Sequence, residues 1–155
     1  MAVIISIDKV SALSKNLEKQ GKKIVLAGGC FDILHPGHVI FLEKAKKAGD
    51  ILMVLLESDE KVRELKGVNR PVHSQKERAK VLAALRYVDY IILLPFMIDR
   101  EYDQLVARLE PDVIAATSGE AKNSHLKRSA KLSGAKFKLV TSIIGNYSTS
   151  KILNH

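Results

Sequence analysis

Apolar residues fall into five short, nearly continuous runs along the chain: Ile24–Ala27, Ile51–Leu56, Tyr90–Leu94, Val113–Ala116 and Phe137–Val140. Each is aliphatic or β-branched, the pattern of strands buried on both faces. The stretches between them repeat apolar residues at helical spacing. Residues 38–48, "HVIFLEKAKKA", set Val39, Phe41, Leu42 and Ala45 on one face. Residues 74–86 open with Ser74-x-x-Glu77, a capping box, and residues 100–109 align Tyr102, Leu105, Val106 and Leu109 before Pro111 stops the helix. Further helices are predicted over 121–133, over 8–20 with Asp8 as cap and Gly21 as stop, and from about Ser148 onward. Strands alternating with helices require right-handed crossovers. The pattern predicts an α/β fold: a doubly wound, parallel, five-stranded sheet with helices on both faces. It forms one domain over 1–155, in which 1–23 is an N-terminal helical extension and 24–153 the core.

Composition narrows the partners. At 155 residues and 46% apolar, the chain is long enough for one real core. It has no apolar run of 18 residues, which argues against a membrane partner. The start "MAVIISIDKV" lacks a basic n-region and a small-residue cleavage site, and Cys30 has no second cysteine to pair with, so a cytoplasmic location is expected. The net charge of +8 suits nucleic acid, an acidic membrane surface or phosphate-bearing small molecules. The basic residues are scattered (Lys22-Lys23, Lys44/Lys46/Lys47, Arg78/Lys80, Lys127-Arg128), aromatics are only 5% and Trp is absent, so a base-stacking nucleic-acid platform is not expected.

One stretch combines unusual residues. "GGCFDILHPGH", 28–38, follows the first apolar run and so lies at the carboxyl end of a strand, where open α/β sheets bind ligands. Gly28 and Gly29 permit close backbone approach. Pro36 suits a first helical position, which puts His35 near the N-cap and His38 near the third position. Both rings then flank free amide donors and the positive end of a helix dipole. Three readings stand on these residues: a tight turn, a two-histidine metal clip and a phosphate cradle. The stretch is neither GxGxxG nor a Walker loop, and zinc usually takes three or four ligands, which His-x-x-His alone does not supply. Cys30 reads as a small packing residue, and Asp32 as a loop cap or a chemical group.

"GGCFDILHPGHVIFLEKAKKAGD", "NRPVHSQKERAKVLAALRYVDYIIL" and "NYSTSKIL" together resemble the HxGH nucleotidyltransferase superfamily, the cytidylyltransferase-like enzymes of Rossmann-like fold. The resemblance runs from residue 24 to 153. Within the superfamily, "GCFDILH-x-GHV" is most similar to the heptose-phosphate adenylyltransferase branch, with the glycerol-phosphate cytidylyltransferases next.

The resemblance implies transfer of a nucleoside monophosphate, AMP in preference, from a triphosphate to a sugar or polyol phosphate. ATP or CTP would be the donor, Mg²⁺ would arrive with the nucleotide, and the protein would be a homodimer. It implies catalytic roles for His35, His38 and Lys66. The backbone around Gly29, Cys30 and Phe31 would bind the nucleotide, together with His35, His38, Ser148, Thr149 and Ser150. Asp32, Arg70, Arg78 and Glu120 would lie in the substrate pocket. Hydroxyls at a helix start, such as Ser148, can also cap it and donate to an anion.

The sequence departs from the family at residues 115–123, "AATSGEAKN", where relatives carry a "KGGD"-like loop; Glu120 is the nearest acid. Three variants therefore stand beside adenylyl transfer: a CTP-dependent glycerol-3-phosphate type, a coenzyme-pathway adenylyltransferase and a nucleotide-binding relative without catalysis.

Overall fold

The computed structural model describes residues 1–118, 123–142 and 147–154. Its sheet has six parallel strands: β1 (Val3–Ser6), β2 (Ile24–Gly29), β3 (Ile51–Leu56), β4 (Tyr90–Leu93), β5 (Val113–Thr117) and β6 (Lys136–Thr141). They are ordered β1-β4-β3-β2-β5-β6. The five expected strands are present; the sixth, β1, lies in the segment read as a helical extension. It pairs with β4 from Val3↔Tyr90 to Ser6↔Leu93. It forms from the apolar run Met1–Ile5 as a four-residue edge strand, with Val3 52% and Ile4 43% exposed. A 3-10 turn, Ile7–Lys9, then leads into α1 (Val10–Lys19). Asp8 lies in that turn and does not cap α1. Gly21, at φ +67°, follows the helix where the stop was expected.

The remaining helices are α2 (Pro36–Lys46), α3 (Asp59–Lys66), α4 (Gln75–Ala83), α5 (Asp99–Leu109), α6 (Asn123–Ser133) and α7 (Thr149–Leu153). The Ser74–Glu77 capping box forms as written in the sequence. α3 carries no helical apolar stripe: Val62 is its only buried residue. Its signals are local: the Ser58 hydroxyl accepts from the Lys61 amide, and Asp59 and Glu60 occupy the first turn.

Alternate strand residues feed two cores, one per face. Val25, Ala27, Leu52, Val54, Leu56 and Ile91 meet Leu42 and Ala45 of α2 and Ala79, Leu82 and Ala83 of α4. Ile24, Leu26, Met53, Leu55, Ile92 and Ile114 meet Val10 and Leu17 of α1, Leu105, Val106 and Leu109 of α5, and Ala130 of α6. The chain runs outward from β2 through β3 to β4, then returns to the other side of β2 for β5 and β6. This reversal at β2/β5 opens a crevice at the carboxyl end of β2.

Candidate active site

A cleft of about 700 Å³ opens at this crevice. It is lined from β2 and its loop by Gly28–Asp32, from α2 by His35 and His38, and from α3 by Lys61, Leu65 and Lys66. Tyr147–Ser150 close it from the C-terminal side.

Residues 30–35 carry the chain from β2 into α2. His35 is the N-cap, with extended backbone, Pro36 is the first helical residue, and His38 is the third, as the sequence predicted. His35 and His38 stack with ring centroids 3.8 Å apart at 25°. Phe31 leans on His38 at 5.2 Å, and the Tyr147 ring lies nearly parallel to His35 at 6.3 Å. Gly37 makes the stack fit: a Cβ there would stand 3.0 Å from His35 Cε1 and 3.1 Å from His35 Nδ1. Gly29 is similarly confined, since a Cβ would meet the Phe31 ring at 2.9 Å.

The imidazoles are held neutral. Burial lowers the pKa of His35, and burial, the His35 ring and the Lys66 ammonium together lower His38 to about 4. Nδ1 of each ring is buried with no hydrogen-bond partner among the described residues. A neutral imidazole offers one N–H donor and one acceptor. Beside the first amides of α2, the pair is suited to grip phosphate oxygens and to take up positive charge as an anion arrives.

Two buried charges shape the surrounding loops. The Asp32 carboxylate, 4% exposed, accepts from Arg70 Nε at 2.6 Å, from the Val72 amide at 2.9 Å and from the His73 amide at 3.1 Å. These bonds hold its pKa below the ordinary carboxylate value against the opposing effect of burial. Asp32 is thus a loop fastener, the first of the two roles the sequence allowed, and it holds Arg70 at the rim of the cleft. Arg78 departs from the expected substrate role. At 1% exposed, it donates to the carbonyls of His73, Cys30 and Glu57 and to Asp59 Oδ1, and it does not line the cleft.

Other expected residues divide similarly. The Ser148 hydroxyl caps α7 by accepting from the Lys151 amide at 3.1 Å. Thr149 lines the cleft, but its hydroxyl donates to the Ile33 carbonyl at 3.1 Å, tying α7 to the β2–α2 loop rather than presenting that proton to a ligand. Ser150 and Cys30 line the cleft, and the Cys30 carbonyl is held by Arg78. Lys66, the last residue of α3, reaches the same rim. Glu120 lies outside the described residues.

The structure also adds residues. Glu57, just beyond β3, lines the cleft, and its Oε2 accepts from the Tyr102 hydroxyl at 2.6 Å. Burial raises the Glu57 pKa, and burial followed by Glu57 itself raises that of Tyr102. The Lys61 ammonium pairs with Glu64 at 2.6 Å and lies over the rings of Phe96 and Tyr102. The signal for Glu57 was present: an acid directly after the run Ile51–Leu56 marks a strand's carboxyl end.

A parallel sheet that brings a stacked imidazole pair and a helix N-terminus to its topological switch defines a Rossmann-like nucleotide-binding domain. The cytidylyltransferase-like family matches residues 26–154, and the chain belongs to that family of nucleotidyltransferases. It is 48% identical over 111 residues to the bifunctional protein HldE of Wolinella succinogenes, covering 72% of this chain and 23% of that protein. It is 38% identical over 153 residues to the bifunctional protein HldE of Geotalea uraniireducens, covering 97% of this chain and 30% of that protein. The chain thus spans less than a third of the length of these relatives.

Among solved structures, the lipopolysaccharide core biosynthesis protein of Thermoplasma volcanium is 28% identical with a TM-score of 0.64, covering 83% of this chain and all of that one. Pantoate-beta-alanine ligase of Francisella tularensis shares the fold at a TM-score of 0.68 and 16% identity, covering all of this chain and 74% of that one.

Proposed function

We propose that this domain transfers a nucleoside monophosphate, AMP in preference, from a nucleoside triphosphate to the phosphate of a sugar or polyol, releasing pyrophosphate. The observation that carries this reading is the stacked His35–His38 pair at the α2 N-terminus, inside a cleft that also receives Lys66 and Arg70. The likeness to a lipopolysaccharide core biosynthesis protein supports a sugar-phosphate acceptor. The resemblance of "GCFDILHPGHV" to the heptose-phosphate branch supports ATP and a heptose-phosphate-like acceptor.

In this reading the acceptor's phosphate oxygen, already anionic, attacks the α-phosphorus without a general base. The bond to the bridging oxygen breaks and pyrophosphate leaves with the electron pair. The protein's contribution is in-line placement and stabilisation of the charge that grows on the α-phosphate oxygens. His35 and His38 donate there, Lys66 adds a positive charge, and Arg70 meets the acceptor phosphate. Mg²⁺ supplies charge neutralisation on the triphosphate. The ion would come with the nucleotide, as the family resemblance implies.

The test is pyrophosphate release from ATP and CTP against a panel of sugar and polyol phosphates. Turnover is expected with at least one pair, ATP being preferred. Tight nucleotide binding without pyrophosphate from any pair would overturn transfer and favour a non-catalytic relative. The homodimer implied by the family resemblance is tested in the same preparation by sedimentation.

A further inference from the structure

The cleft is electrically divided. The neutral His35 and His38 can donate to phosphate and Lys66 and the Asp32-paired Arg70 carry positive charge, whereas Glu57, at the end of the strand beside β2, puts a carboxylate into the same space. The Glu57 amide donates to the Gly29 carbonyl at 3.2 Å, so this acid is fixed to the strand that carries the imidazole loop. It is half-buried. Tyr102, on α5, donates to Oε2 and holds the carboxylate in one orientation, while no described residue donates to Oε1. A carboxylate so placed repels a phosphate but accepts strongly from a hydroxyl.

We infer that Glu57, oriented by Tyr102, is a specificity-determining residue that accepts a hydrogen bond from a substrate hydroxyl. The reading rests on the transferase proposal, which supplies hydroxyl-bearing substrates from two sources, the sugar or polyol acceptor and the ribose of the nucleotide. The recognised chemistry is the same in both. It gives the cleft a means of rejecting a molecule that carries the right phosphate but lacks the hydroxyl, because Oε1 is then left without a donor. Tyr102 is a positioning residue, acting through Glu57. The pKa of Tyr102, raised by burial and by Glu57, keeps its phenol a donor.

The experiment compares wild type, Glu57→Leu, Glu57→Gln and Tyr102→Phe, each first checked for a cooperative thermal transition. The probes are glucose 1-phosphate, mannose 1-phosphate and glycerol 3-phosphate with their monodeoxy analogues, and ATP with 2′-deoxy-ATP and 3′-deoxy-ATP. The readouts are KM and kcat from pyrophosphate release and the ligand-induced shift in Tm. Wild type is expected to prefer one hydroxylated compound over its deoxy analogue by about 10-fold or more. Glu57→Leu should lose that preference through KM, with kcat within a few-fold, and Tyr102→Phe and Glu57→Gln should lose part of it. A lost preference among acceptors assigns the hydroxyl to the sugar, and one among the nucleotides assigns it to ribose. If wild type treats every compound and its deoxy analogue alike, or if the folded variants keep the preference, the inference is overturned. Absence of pyrophosphate from every pair removes the transferase reading instead, and the Tm shifts still decide the role of Glu57.

Discussion

Arg78 commits its guanidinium to three carbonyls and a carboxylate: His73, Cys30 and Glu57 through their main-chain oxygens, and Asp59 through Oδ1 at 2.7 Å. It therefore joins the loop after β2, the end of β3, the start of α3 and the entry to α4. Removing Arg78 leaves three carbonyls without their donor and Asp59, whose side chain is 35% exposed, without its cation. Arg78→Leu should cost on the order of 3 kcal/mol of stability, read as a lower urea midpoint, and Arg78→Lys should recover only part because the planar fork is lost. A substrate-binding arginine would instead leave the midpoint unchanged and raise KM. Nothing in the sequence separates these roles: Arg78 stands in an amphipathic helix beside Lys76 and Lys80, and only the tertiary packing shows which of these cations is enclosed.

At the scale of elements, the long buried strands were legible because both faces of each are covered, leaving uninterrupted apolar runs. The start of α2 was equally legible, because Pro36 fixes where the helix begins and thereby the positions of His35 and His38. β1 and α3 were not. β1 is a short edge strand whose apolar run, Met1–Ile5, leads straight into helix-patterned residues, and α3 is a polar helix with a single buried residue. The cleft was half legible. Its phosphate side is written locally in residues 28–38, whereas its other side joins Glu57 to Tyr102 across 45 positions, a pairing that only the β3–α5 packing creates. Thr149 shows the same limit from the other direction: it lines the cleft, and its hydroxyl donates to the Ile33 carbonyl across 116 positions, tying α7 to the imidazole loop.

For the whole molecule, the buried imidazoles make stability depend on acid. His38 has a pKa of about 4 in the folded protein and about 6.5 when unfolded. Between those values the unfolded chain binds the extra proton, so its population gains as pH falls. The contribution from neutral His38 is fully present above about pH 6.5 and is lost as pH falls through about 4, an effect on the order of 3 kcal/mol. His35, also lowered, acts in the same direction. Unfolding free energy measured from pH 7 to pH 4 should fall more steeply for wild type than for His38→Gln; parallel curves would contradict the burial of this ring.

The same neutral pair sits where two polyanions would meet in the proposed reaction. None of the described helices is long and apolar enough to cross a membrane. Pyrophosphate formation by wild type and by His38→Ala, with ATP and the best sugar phosphate at saturation, tests this account most directly. The account predicts a fall in kcat of about 100-fold or more with the thermal transition still cooperative. A folded His38→Ala protein turning over within a few-fold of wild type would contradict it.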